Sequence, residues 1–211
     1  MKYNFDIVLK DVFTELGYSY AADEQVCFRL WKEIETKYSS KKRYYHNLSH
    51  LNMLLDHLTA CRPIIHDWDT VLFSLFYHDI IYNVTRKDNE EKSAALATKR
   101  FQQINYPELQ TEKCRRQILA TRTHDPDDDP DTAFFIDADI SILGQKRHVY
   151  EEYCRQIRKE YSIYPDIIYK PGRRKVITHF LQRERVFKTD VFFERYEIQA
   201  RENLQWEADN L

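Results

Sequence analysis

Three histidine–aspartate dipeptides occur in the chain: His66-Asp67, His78-Asp79 and His124-Asp125. An imidazole beside a carboxylate suits divalent-metal ligation and general acid–base chemistry. The dipeptide alone selects nothing, so its setting must. His66-Asp67 lies between Pro63 and Trp68, where Asp67 reads as a helix cap. His124-Asp125 opens an acidic loop, His-Asp-Pro-Asp-Asp-Asp-Pro-Asp, that ends at Asp131. His78-Asp79 is different. It falls within Val-Leu-Phe-Ser-Leu-Phe-Tyr-His-Asp-Ile-Ile-Tyr, the most apolar segment of the chain. Polar groups buried there cost several kcal/mol each unless they are partnered, and a metal ion would partner both.

The same test, a ligand-type residue on an apolar helical face, selects further residues. Asp139 has Phe135, Ile136, Ile140 and Leu143 at helical spacing, which turns its carboxylate into a core. Asp137 shares its face with Phe134, Ala138 and Ser141 and is the weaker choice; either one would otherwise be a buried carboxylate paired with an Arg or Tyr. His46 and His50 stand four apart, on one side of an expected helix whose stripe is Leu51, Leu54, Leu55 and Leu58. Together His50, His78, Asp79 and Asp139 form a mixed nitrogen–oxygen set suited to one divalent ion, or two, of Mn, Mg, Fe, Co, Ni or Zn. Arg43, three residues before His46, offers a planar fork that could clamp a phosphate, against the alternative of a surface salt bridge. His124 is a candidate phosphate or second-metal ligand. Glu90 reads as an ordinary first-turn acid rather than a water-orienting group.

The order His…His-Asp…Asp on separate helices resembles the HD superfamily of metal-dependent phosphohydrolases. Tyr45-His46-Asn47-x-x-His50 also resembles the YHNxxH motif of cyclic-nucleotide phosphodiesterases, in which the first histidine protonates the leaving group and the second binds metal. The whole pattern RYYHNLSH, FYHDIIYN, DNEEKSA and FIDADISILG is similar to a bacterial branch of predicted HD phosphohydrolases. The resemblance implies an all-helical fold, His46 as acid, His50, His78, Asp79 and Asp139 at the metal, and Asp79 also taking part in catalysis. The likeness to the phosphodiesterases stops at the motif, because 211 residues is much shorter than their catalytic domain, and a cyclic-nucleotide substrate does not follow.

The elements that must position these residues are helices nearly throughout. The apolar spacing predicts helices near 3–16, 24–38, 46–61, 69–82, 89–104, 108–122, 131–143, 146–161, 166–184 and 191–208. The fold class expected is an all-α bundle of about eight to ten helices, one HD-type domain over 1–211. Its metal-site core lies at about 40–145, and helices from 146 to 211 pack on it. Asp88 with Glu91 suggests a capping box, Asp129-Pro130 a cap with a proline at the first helical position, and Gly144 a helix-ending glycine. With three Gly and six Pro, the chain lacks the turn residues of an all-β fold.

Composition narrows the function classes. A net charge of −2 gives no global drive toward nucleic acid or an anionic membrane. The C-terminal cations Lys170, Arg173, Arg174, Lys175, Arg183, Arg185, Lys188, Arg195 and Arg201 are interleaved with Glu184, Glu194, Glu197 and Glu202, as on a solvated face. Cys27, Cys61, Cys114 and Cys154 form no CxxC and read as reduced, packed thiols. No signal peptide and no apolar run of about 20 residues is present, so a cytoplasmic location is expected. The leading expectation is a hydrolase for a phosphoester or phosphoanhydride of a small nucleotide-like molecule. Its competitors are a non-catalytic metal- and ligand-binding module and a di-iron HD oxygenase.

Overall fold

The computed structural model describes residues 5–20, 23–125 and 128–211, with the side chains of residues 5–7 excepted. Within these the chain is all-α, with ten helices and no strand. They are α1 (Phe5–Tyr18), α2 (Glu24–Tyr38), α3 (Leu48–Cys61), α4 (Trp68–Tyr77), α5 (Asn89–Phe101), α6 (Glu108–Ala120), α7 (Pro130–Asp139), α8 (Arg147–Glu160), α9 (Asp166–Leu181) and α10 (Asp190–Asn210). Short 3-10 turns occur at Arg62–Ile64, Gln102–Ile104 and Ile140–Gly144. Residues 3 and 4 of the first expected helix, and Pro126 and Asp127 of the acidic loop, lie outside the described residues.

The chain's contacts gather into two compact units, residues 1–136 and 137–211. The division falls inside α7, which is one continuous helix. In the first unit α4 is the central element: every residue from Thr70 to Tyr77 is buried. A helix apolar on all sides must be enclosed, and large rings enclose it. Phe73 and Phe76 both meet Phe13 edge-on, and Phe73 also packs on Phe101 and Tyr106. The polar Ser74 in this helix is satisfied by the carbonyl of Thr70 and by Gln117 Oε1 at 2.6 Å.

Helix ends decide where the candidate site residues sit, and two differ from the expectation. Asn47 accepts from the Ser49 amide at 2.8 Å and is an N-cap, so α3 starts at Leu48 and His46 precedes the helix. The helix expected to run on to residue 82 ends at Tyr77, with His78 as its C-cap. Beyond it, the carbonyls of Asp79 and Ile80 accept from Arg43 and the Ile81 amide donates to Ser93 Oγ, so those groups are not available to another helical turn.

Other cap signals fared differently. Asp129 caps α7 through the Thr132 amide and hydroxyl, with Pro130 first in the helix as expected. Asp88 makes no cap bond, because a bidentate pair with Arg86 takes its carboxylate. Gly144 closes a 3-10 turn without positive φ. Its small size serves another purpose: an added Cβ would lie 2.7 Å from the Tyr196 carbonyl.

In the second unit, Asn203 on α10 donates to the carbonyls of Leu143 and Gln145. Arg173 is buried and forms a two-bond pair with Glu207, at 2.7 and 2.9 Å, and Tyr150 bonds the same carboxylate. Arg173 is therefore not part of a solvated face as expected, whereas Lys170, Arg174 and Lys175 are exposed.

Candidate metal centre

His50 projects from the first turn of α3 and is 3% exposed; His78, ending α4, is 1% exposed. Their Nε2 atoms lie 3.2 Å apart. Asp79 Oδ2 is 3.3 Å from His78 Nε2. The tautomer of His78 follows from its other nitrogen. Nδ1 is 2.9 Å from the Leu75 carbonyl, which can only accept, so Nδ1 carries a proton. Nε2 faces the second imidazole and a carboxylate oxygen, and in a neutral ring it does so with its lone pair. A proton on His50 Nε2 would satisfy one of those contacts, and a cation satisfies all of them. A carbonyl that fixes the far nitrogen is also the usual support of a metal-ligating histidine.

Asp139 ends α7, whose Phe135 ring meets the His78 ring edge-on at 5.7 Å. His50, His78 and Asp139 each offer a ligand atom, all within 4.8 Å of one another, and this group could hold a metal ion. Nitrogen and oxygen donors without thiolate fit a hard or borderline divalent ion. Asp137 has a different partner set. Its carboxylate accepts from the amides of Lys188 and Thr189 and from the Thr189 hydroxyl, so it is the buried, structurally paired carboxylate of the two.

His46 reaches the same place from outside the helix. Its Nε2 is 3.9 Å from Asp79 Oδ2, and its ring lies 5.8 Å from that of His50. It stacks on Tyr82, centroids 4.2 Å apart and 28° from parallel, and meets Tyr45 edge-on. His46 and His50 are thus neighbours, but not across a helical turn. Between them lie the extended cap residue Asn47 and the first two helical residues, Leu48 and Ser49.

Arg43 was expected as a phosphate fork. Instead its guanidinium donates to the carbonyls of Asp79 (2.7 Å), Ile80 (3.0 Å) and His46 (3.3 Å), between the rings of Tyr38 and Tyr82. His124 closes the turn after α6 with φ of 53° and is partly exposed. Glu90, read as a plain first-turn acid, has more to it. Burial lifts its carboxyl above the usual range and the negative charge of Asp79 adds to the lift, which puts the two acids within electrostatic reach. Tyr38 was missed altogether; its hydroxyl accepts from the Asp79 amide at 3.2 Å. No spacing rule links residues 41 apart.

The His66-Asp67 dipeptide is structural. Asp67 caps α4, and the amides of His66 and Asp67 donate to the fully buried Asp131, which Lys113 also contacts. All four cysteines are free thiols, three of them buried. No helix among the described residues is long and apolar enough to cross a membrane. Comparison of the chain with protein-family models, with curated proteins and with solved structures gives no match.

Proposed function

We propose that the chain is a metal-dependent phosphohydrolase of the HD type, acting on a phosphoester or phosphoanhydride of a small nucleotide-like molecule. The observation that carries this reading is the convergence of the buried His50 Nε2 and His78 Nε2 with the partly exposed Asp79 carboxylate. Asp139 completes the donor set. The motifs around these residues, read as a resemblance, point the same way.

His50, His78, Asp79 and Asp139 would hold a divalent ion, and the chemistry it would supply there is Lewis acidity toward a phosphoryl oxygen and a water. The chain's own groups do the rest. His46, with Nε2 3.9 Å from Asp79 Oδ2, stands where a protonated imidazole donates its Nε2 proton to the departing oxygen. Tyr82, stacked on that imidazole, fixes the direction of the N–H. Glu90 adds a second carboxyl near Asp79 that can hold or accept a proton from water. The aromatic side chains Tyr45 and Tyr82 flank the histidines and limit water there.

The test is a panel of phosphorylated metabolites assayed with Mn, Co, Ni, Mg and Zn, with Asp79→Ala as the blank. Release of phosphate by the native chain and not by the blank is the expected result. A native chain that binds metal but hydrolyses nothing on the panel would favour a non-catalytic binding module.

A further inference from the structure

We propose that Arg43 is the positioning residue of this centre, holding the Asp79 turn and the His46 segment in one fixed relation; the inference rests on the metal-site reading above. A helix C-terminus leaves its last carbonyls without intrahelical partners, and the turn that follows α4 must be fixed from elsewhere. Arg43 does this with one planar group. Nη1 donates to the Asp79 carbonyl at 2.7 Å and the His46 carbonyl at 3.3 Å, and Nη2 donates to the Ile80 carbonyl at 3.0 Å. The backbone of the proposed acid and the backbone of the proposed ligand are thus tied to one cation.

The rings around the guanidinium close two further links. Tyr38 lies 4.8 Å from it and accepts from the Asp79 amide. Tyr82 lies 5.5 Å from it and stacks on His46. Arg43 reaches Asp79 directly and through Tyr38, and His46 directly and through Tyr82. A lysine keeps the charge but has neither the plane that these rings cover nor the fork that spans two adjacent carbonyls. The Arg-x-x-His spacing of RYYH is explained by this geometry, which needs no phosphate.

The experiment is titration calorimetry of Mn(II) into the full-length, chelator-stripped chain, with melting temperature in parallel. Arg43→Lys is expected to bind Mn(II) about ten- to a hundredfold more weakly while staying folded, the range typical of residues that orient metal ligands. Arg43→Ala should be weaker still and should regain affinity on addition of methylguanidinium, a response that a general packing defect would not give. Native-like Mn(II) affinity in folded Arg43→Lys, or no recovery of folded Arg43→Ala with methylguanidinium, overturns the proposal. If the native chain itself binds no Mn(II), the metal-site reading fails and the Arg43 role falls with it. Native binding with undisturbed variants sinks Arg43 alone.

Discussion

At the scale of single residues, the pair Asp137 and Asp139 shows how a site and its scaffold separate. The two carboxylates are two residues apart on α7, yet Asp137 is spent on three donors around Thr189 and Asp139 is in the group that could hold a metal ion. Asp139→Asn should therefore weaken metal binding without a large loss of stability. Asp137→Asn should lower the melting temperature and leave metal affinity in place, since it removes acceptor capacity from buried amides at a cost of about 1–3 kcal/mol. Calorimetric titration and thermal unfolding of the two variants read both effects. His46→Ala belongs to a third class. It should retain bound metal and lose turnover by about 10²–10⁴, the usual contribution of a general acid, as measured by steady-state rates on the best substrate.

At the scale of elements, the second unit shows how closely its helices depend on one another. Gly144 faces the backbone of Tyr196 on α10, so Gly144→Ala should destabilise by about 1–3 kcal/mol, visible as a lower denaturant midpoint. Most helices were legible in the sequence because their apolar spacing is dense and few Gly or Pro interrupt it. Four things were not legible, for a common reason. The end of α4, the work of Arg43, the position of Tyr38 and the pairing of Arg173 with Glu207 all depend on partners more than 30 residues away. A periodic pattern reports which face of a helix is buried, not what a distant side chain does to its last carbonyl. The group His50, His78 and Asp139, which could hold a metal ion, was legible because a polar residue in an apolar run is conspicuous on its own.

At the scale of the whole molecule, acid should find the second unit's buried ion pair. Burial raises the Glu207 carboxyl, but the hydrogen bonds and charge of Arg173 outweigh it and hold the group below the ordinary carboxylate range. A carboxyl whose folded pKa is depressed stabilises fully above its unfolded value, about 4.3, and loses that stability as pH falls through the folded value. Glu207→Gln should accordingly cost about 3 kcal/mol at pH 7, where it leaves Arg173 buried beside a neutral amide. The gap between native and variant melting temperatures should close as pH drops below about 4. A gap that widened toward acid would reverse the assigned sign.

The proposed activity depends most on a cation among His50, His78, Asp79 and Asp139. The direct measurement is the divalent-metal content of the native chain after chelation, reloading with Mn(II) and desalting, beside His78→Ala treated identically. One ion per native chain and none in the variant is the predicted result. A native chain that emerges folded and metal-free, or a variant that retains the same ion, would contradict it.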